Sequence, residues 1–88
     1  MKVVALWRDN TDYAREIVDW LENFERRTGK RLESLDPDTV EGGDFAAVHD
    51  IWEFPAIVAV DDSGVILQDW KGVPLPMVDE VSYYAQEK

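Results

Sequence analysis

The sequence predicts an α/β fold, a mixed four-stranded sheet with helices on both faces, in the order β-α-β-α-β-β-α. Three observations predict it. Short apolar runs rich in β-branched residues, KVVALW (2–7) and AIVAV (56–60), read as buried strands. A long amphipathic stretch from Tyr13 to about Arg27 separates the first run from the next strand, and a helical crossover implies a parallel pair. The segment Asp61-Asp62-Ser63-Gly64 has turn composition and leads into Val65–Lys71, so the last two strands form an antiparallel hairpin.

After the first strand the polar stretch RDNTD (8–12) offers Asp9, Asn10 and Thr11 as helix N-caps, with Asp12 in the first turn, where a carboxylate suits the helix dipole. Tyr13, Ile17, Trp20 or Leu21, and Phe24 recur on one helical face, Arg26 and Arg27 lie in the last turn, and Gly29 stops the helix. RLESLD (31–36) alternates weakly and ends at Pro37, as an edge strand would. DPDTVEGG (36–43) is a loop, after which Asp44 is expected to cap a short helix to about Asp50, with Phe45, Val48 and Ile51 inward. Gly72 ends the hairpin, and Pro76 opens a last helix that turns Met77 or Val78, Val81 and Ala85 to the core.

The chain has 88 residues, enough for one domain, assigned here to 1–88. A chain of this size buries roughly 60–65% of its unfolded surface. Nineteen acidic residues against nine basic ones give a net charge of −10. That field repels phosphate backbones and anionic lipid, so neither nucleic acid nor a membrane surface is an expected partner. No cysteine is present, which removes disulfides, thiolate metal sites and thiol catalysis. With no apolar run of spanning length and no signal pattern, the expected location is cytoplasmic, and a monomer is expected.

Between the second helix and the third strand lies Ile51-Trp52-Glu53-Phe54-Pro55-Ala56-Ile57-Val58. Pro55 has no N–H and marks a strand start. This stretch, with the order of the elements, resembles the thioredoxin superfamily, in which a short helix leads to a cis-proline and a buried strand. Gly64 and Gly72 fall where the family has its hairpin turn and the end of its fourth strand, and Asp36 fits a recurrent family position. The N-terminal part is similar to a glutaredoxin: Thr11-Asp12-Tyr13-Ala14 takes the place of the Cys-Pro-Tyr-Cys motif, and only the tyrosine is kept. The resemblance covers about residues 2 to 85 and implies a cis Phe54–Pro55 bond, with Phe54 offering its backbone N–H and C=O to an extended peptide or to glutathione. On that template Trp7, Tyr13, Trp52 and Phe54 converge around Pro55 beside Thr11 and Asp12. Taken singly, Trp7 and Tyr13 read as local packing.

Thr11 and Ala14 at the cysteine positions rule out dithiol exchange by this chain. A threonine nucleophile needs a base, and the single histidine, His49, lies on the second helix or just past it, with nothing to bring it near Thr11. Asp36, Asp38, Glu41 and Asp44 invite a calcium reading, but Val40 and Glu41 stand where an EF-hand needs a ligand and a glycine. No cofactor and no catalytic residue are therefore expected. The leading expectation is a redox-inactive binding module holding a peptide or protein partner at the Phe54–Pro55 rim, where Asp9, Asp12 and Glu53 favour a basic segment. The alternatives are a glutaredoxin-like or glutathione-binding protein, with Arg8 as the nearby cation, and a sequence that preserves a fold without a specific function.

Overall fold

A computed structural model describes residues 1–85. The predicted domain range also takes in residues 86–88, which lie outside the described residues. The elements are β1 (Lys2–Leu6), α1 (Ala14–Thr28), β2 (Glu33–Leu35), α2 (Val40–Val48), β3 (Ala56–Val60), β4 (Ile66–Lys71) and α3 (Val78–Ser82). They build one four-stranded sheet of order β2-β1-β3-β4. β1 and β2 run parallel with Val4 opposite Glu33 and Leu6 opposite Leu35, as a helical crossover requires. β3 is antiparallel to both neighbours, from Leu6↔Ala56 to Lys2↔Val60 on one side and Ala56↔Lys71 to Val60↔Ile66 on the other.

The two inner strands read as continuous apolar runs because both of their faces are covered. On one face Val3, Ile57 and Ala59 meet Ile17 and Phe24 of α1 and Val78 and Val81 of α3. On the other, Leu6, Ala56, Val58 and Val60 meet Ala46 of α2 and Ile51. Successive strand residues thus serve opposite cores. Phe24 is fully buried, and burial of a side chain of that size contributes about 2–3 kcal/mol. The indole of Trp20 stacks on Phe24 with centroids 5.3 Å apart and donates its N–H to the carbonyl oxygen of Pro76 at 2.7 Å, tying α1 to the segment that opens α3.

Several local expectations change. The N-cap of α1 is Tyr13, without a side-chain cap bond, so Asp9, Asn10 and Thr11 are not caps and Asp12 precedes the first turn. Gly29, with φ 74°, ends α1 by donating its N–H to the carbonyl oxygen of Glu25. α2 begins earlier than predicted. Thr39 is its cap, its hydroxyl oxygen accepting from the Gly42 N–H at 3.0 Å, and Asp44 lies inside the helix. Gly42 and Gly43 made this stretch look like loop, yet Gly42 is needed: a Cβ there would collide with the carbonyl oxygen of Asp36. Val48 points to solvent, and the α2 face that packs consists of Ala46, with half-buried Phe45 beside it. Met77 is exposed, and Val78 takes the inward position. Among the described residues no helix is long and apolar enough to cross a membrane.

Candidate functional site

The parallel strands β1 and β2 end at the same edge of the sheet where antiparallel β3 begins. Three loops therefore meet there: residues 8–13, residues 36–39, and the approach to Pro55. Each is fixed by its own short polar contacts.

The first loop is folded around Arg8. The Arg8 N–H donates to the Tyr13 phenol oxygen at 3.1 Å, and the Thr11 hydroxyl donates to the Arg8 carbonyl oxygen at 2.9 Å. Thr11 and Tyr13 thus both hold the Arg8 backbone. Asp12 is exposed. In the second loop Asp36 is the organiser: one carboxylate oxygen accepts the Asp38 N–H at 2.8 Å, and its carbonyl oxygen accepts both the N–H and the hydroxyl of Thr39. This Asx turn presents the Asp38 carboxylate toward the first loop.

The third segment leaves α2 through Asp50, which has φ 57°, in the left-handed region that Asp tolerates better than most residues. The turn sends Ile51 into the core and leaves Trp52 68% exposed, its indole N–H donating to the Asp50 carboxylate at 2.7 Å. Glu53 lays its carboxylate against Gly72, where φ is 78° and no Cβ stands in the way. Phe54 is half-buried, Pro55 is fully buried, and the peptide bond between them is cis. The Pro55 carbonyl oxygen accepts the Gly72 N–H at 2.8 Å, which fastens the segment to the end of β4 beside exposed Val73.

Arg8 joins the three. Its Nε donates to both carboxylate oxygens of Asp38, at 3.0 and 3.1 Å, and its guanidinium carbon lies 4.8 Å from the centroid of the Phe54 ring. The Asp38 hydrogen bond raises the Arg8 pKa further above its ordinary value, so the guanidinium is charged at every accessible pH. Both side chains of the ion pair remain open to solvent, 38% for Arg8 and 65% for Asp38, so the pair and the ring contact each stabilise by only about 0–1 kcal/mol. Sequence reasoning treated Asp38 as a turn residue and missed this contact. The signal lay in Asp36-Pro37-Asp38-Thr39, an Asx turn running into a threonine cap.

Trp7 reaches the edge of this junction, sharing a small cleft with Asp9 and Asp36, whereas His49 lies apart from it. Trp7 packs on the α1 side of the sheet and lines a cleft of about 500 Å³ with Val18, Leu21 and Leu32. Its indole N–H is buried without a protein partner among the described residues. His49 sits at the C-terminus of α2, with Nδ1 2.8 Å from the Phe45 carbonyl oxygen and Nε2 2.9 Å from that of Gly64. Because Gly64 belongs to the β3–β4 turn, His49 is at the opposite end of the sheet from Thr11, and the two form no nucleophile–base pair. Among the described residues no group of three or more His, Asp or Glu side chains is placed to hold a metal.

No protein-family model matches the chain, and no curated protein sequence does either. Among solved structures, thioredoxin 1 from the thermophilic eubacterium Thermosipho africanus TCF52B matches with a TM-score of 0.65 over 96% of this chain and 89% of that one, at 13% sequence identity. The chain therefore has a thioredoxin-like fold, and the absence of cysteine from its 88 residues fits a redox-inactive variant.

Proposed function

We propose that this chain, thioredoxin-like in fold and without a thiol, is a binding module that takes an extended peptide or protein segment along the Phe54–Pro55 rim. One observation carries the reading. Among the described residues, neither the N–H nor the C=O of Phe54 has a partner, although the β3 ladders begin only two residues later at Ala56. An unpaired backbone donor and acceptor at the mouth of a sheet is a template for an added strand. The half-buried Phe54 ring and exposed Val73 supply apolar contact next to it.

The role is recognition rather than catalysis. It suits a cytoplasmic monomer that avoids nucleic acid and membrane surfaces, in keeping with a net charge of −10. A glutathione-binding role has less support, because Arg8, the cation seated on the Phe54 ring, is already held by Asp38.

The test is an amide NMR titration of the whole chain with a short valine- and threonine-rich peptide, a composition that favours the extended state. Shifts confined to Phe54, Gly72, Val73 and their neighbours are expected. No shifts, or shifts scattered over the sheet's far end, would overturn the proposal.

A further inference from the structure

We propose that the Phe54 ring and the Asp38 carboxylate form a guanidinium subsite, filled by Arg8 in the free protein and taken over by an arginine of the docked segment. The inference rests on the docking role of the rim and names the chemistry of its partner: an extended, arginine-bearing, basic segment.

The geometry of the subsite is on display in the free protein. A guanidinium sits over an aromatic face, 4.8 Å from its centroid, while both oxygens of a carboxylate accept from its Nε. Ring and carboxylate together select a guanidinium over an ammonium, because only the planar group can stack and pair in one plane. The occupant is the chain's own side chain, lying directly over the apolar ring that a docked segment would cover. A segment that reaches the unpaired Phe54 backbone must therefore move Arg8 or meet its charge.

The local charge decides which partner gains from that exchange. Asp9, Asp12, Asp36 and Glu53 belong to the loops around Phe54. Nearby cations are few: Arg8 is paired with Asp38, Arg15 with Asp19 on its own helix, and Lys71 ends β4. A neutral or acidic segment that displaced Arg8 would leave Asp38 unpaired in an acidic field. An arginine from the segment replaces the lost contact atom for atom and releases Arg8 to solvent among carboxylates. The solvent-open ion pair makes that exchange readily reversible.

The test compares wild type with Arg8→Ala, and with Arg8→Gln as a milder second variant. Three probes are used: the valine- and threonine-rich peptide with one central arginine, its twin carrying neutral citrulline, and methylguanidinium. Vacating the subsite should tighten binding of the arginine peptide about fivefold, since the free protein then holds the site open all the time. The citrulline twin should bind about tenfold more weakly than the arginine peptide, and Asp38→Asn should erase that difference. Methylguanidinium should shift the Phe54 ring resonances in Arg8→Ala at about fivefold lower concentration than in the wild type. Added salt should weaken the arginine peptide more than the citrulline one.

Equal binding of the arginine and citrulline peptides overturns the subsite and leaves the docking role standing. Weaker binding by both Arg8 variants overturns it as well, making Arg8 part of the docking surface rather than its occupant. If no peptide binds, the docking role fails. Methylguanidinium shifts at Phe54 would then still support the subsite, and their absence would overturn it too.

Discussion

The indole N–H of Trp20 donates to the carbonyl oxygen of Pro76 at 2.7 Å, joining the middle of the longest helix to the segment that opens the last one. α3 is five residues long and has no independent stability at that length. Its place depends on Val78 and Val81 reaching the core and on this anchor just before its first turn. Replacing Trp20 by Phe keeps an aromatic ring against Phe24 and removes the donor. The Pro76 carbonyl would lose a part-buried partner, so unfolding by denaturant should shift to lower midpoint by about 1 kcal/mol of stability. Fraying should be greatest in α3, visible as faster amide exchange at Val81, whose own N–H bond to Met77 is long at 3.4 Å.

Gly42 tests the close approach of α2 to the loop that presents Asp38. Helix propensity alone favours Gly→Ala inside a helix by about 1 kcal/mol. Here the added methyl has no room against the Asp36 carbonyl oxygen, which is backbone and cannot swing aside. Gly42→Ala should therefore destabilise by about 2 kcal/mol or more. Gly43→Ala, whose Cβ would stand 3.1 Å from the Pro37 carbonyl oxygen, should stay within about 1 kcal/mol of wild type, because its propensity gain offsets the squeeze. Thermal or urea unfolding of the two variants separates the effects, and equal outcomes would refute the steric account.

The inner strands were legible in the sequence because burial on both faces leaves short continuous apolar runs, and the α1 core stripe because its apolar residues recur at helical spacing. The caps of α1 and α2 were not, because the competing signals are local and several residues satisfy them. Asp9, Asn10 and Thr11 all read as caps for α1, yet the loop spends the Thr11 hydroxyl on the Arg8 carbonyl and the Tyr13 phenol on the Arg8 N–H. Gly42 and Gly43 hid the first turn of α2, since their use depends on a tertiary contact with Asp36 that no local pattern encodes. The cis Phe54–Pro55 bond was readable through the resemblance of residues 51–58, whereas Arg8, Asp38 and Phe54 come from three separate loops and meet only in the fold.

The caps give a direct comparison. Thr39 accepts the Gly42 N–H and donates to the Asp36 carbonyl, so Thr39→Ala should cost about 1 kcal/mol or somewhat more and loosen the loop that carries Asp38. Thr11→Ala loses a single hydroxyl contact to the Arg8 carbonyl and no cap, and should cost about 0.5–1 kcal/mol. Chemical denaturation ranks the pair. A larger loss at Thr11 would mean that the turn before α1, and not the α2 cap, holds this end of the sheet.

The Arg8–Asp38 pair should matter little to folding, whatever its part in docking. Both side chains are open to water, and Arg8 contributes its structural hydrogen bonds through its backbone N–H and C=O, which substitution leaves in place. Arg8→Ala and Asp38→Ala should each cost about 1 kcal/mol or less, with a coupling between them in a double-mutant cycle of about 0–1 kcal/mol. Raising ionic strength should shrink that coupling further, while the ring contact with Phe54 persists as a residual cost of Arg8→Ala alone. A coupling of several kcal/mol would show the pair to be a structural clamp, too tightly held to yield to an incoming side chain.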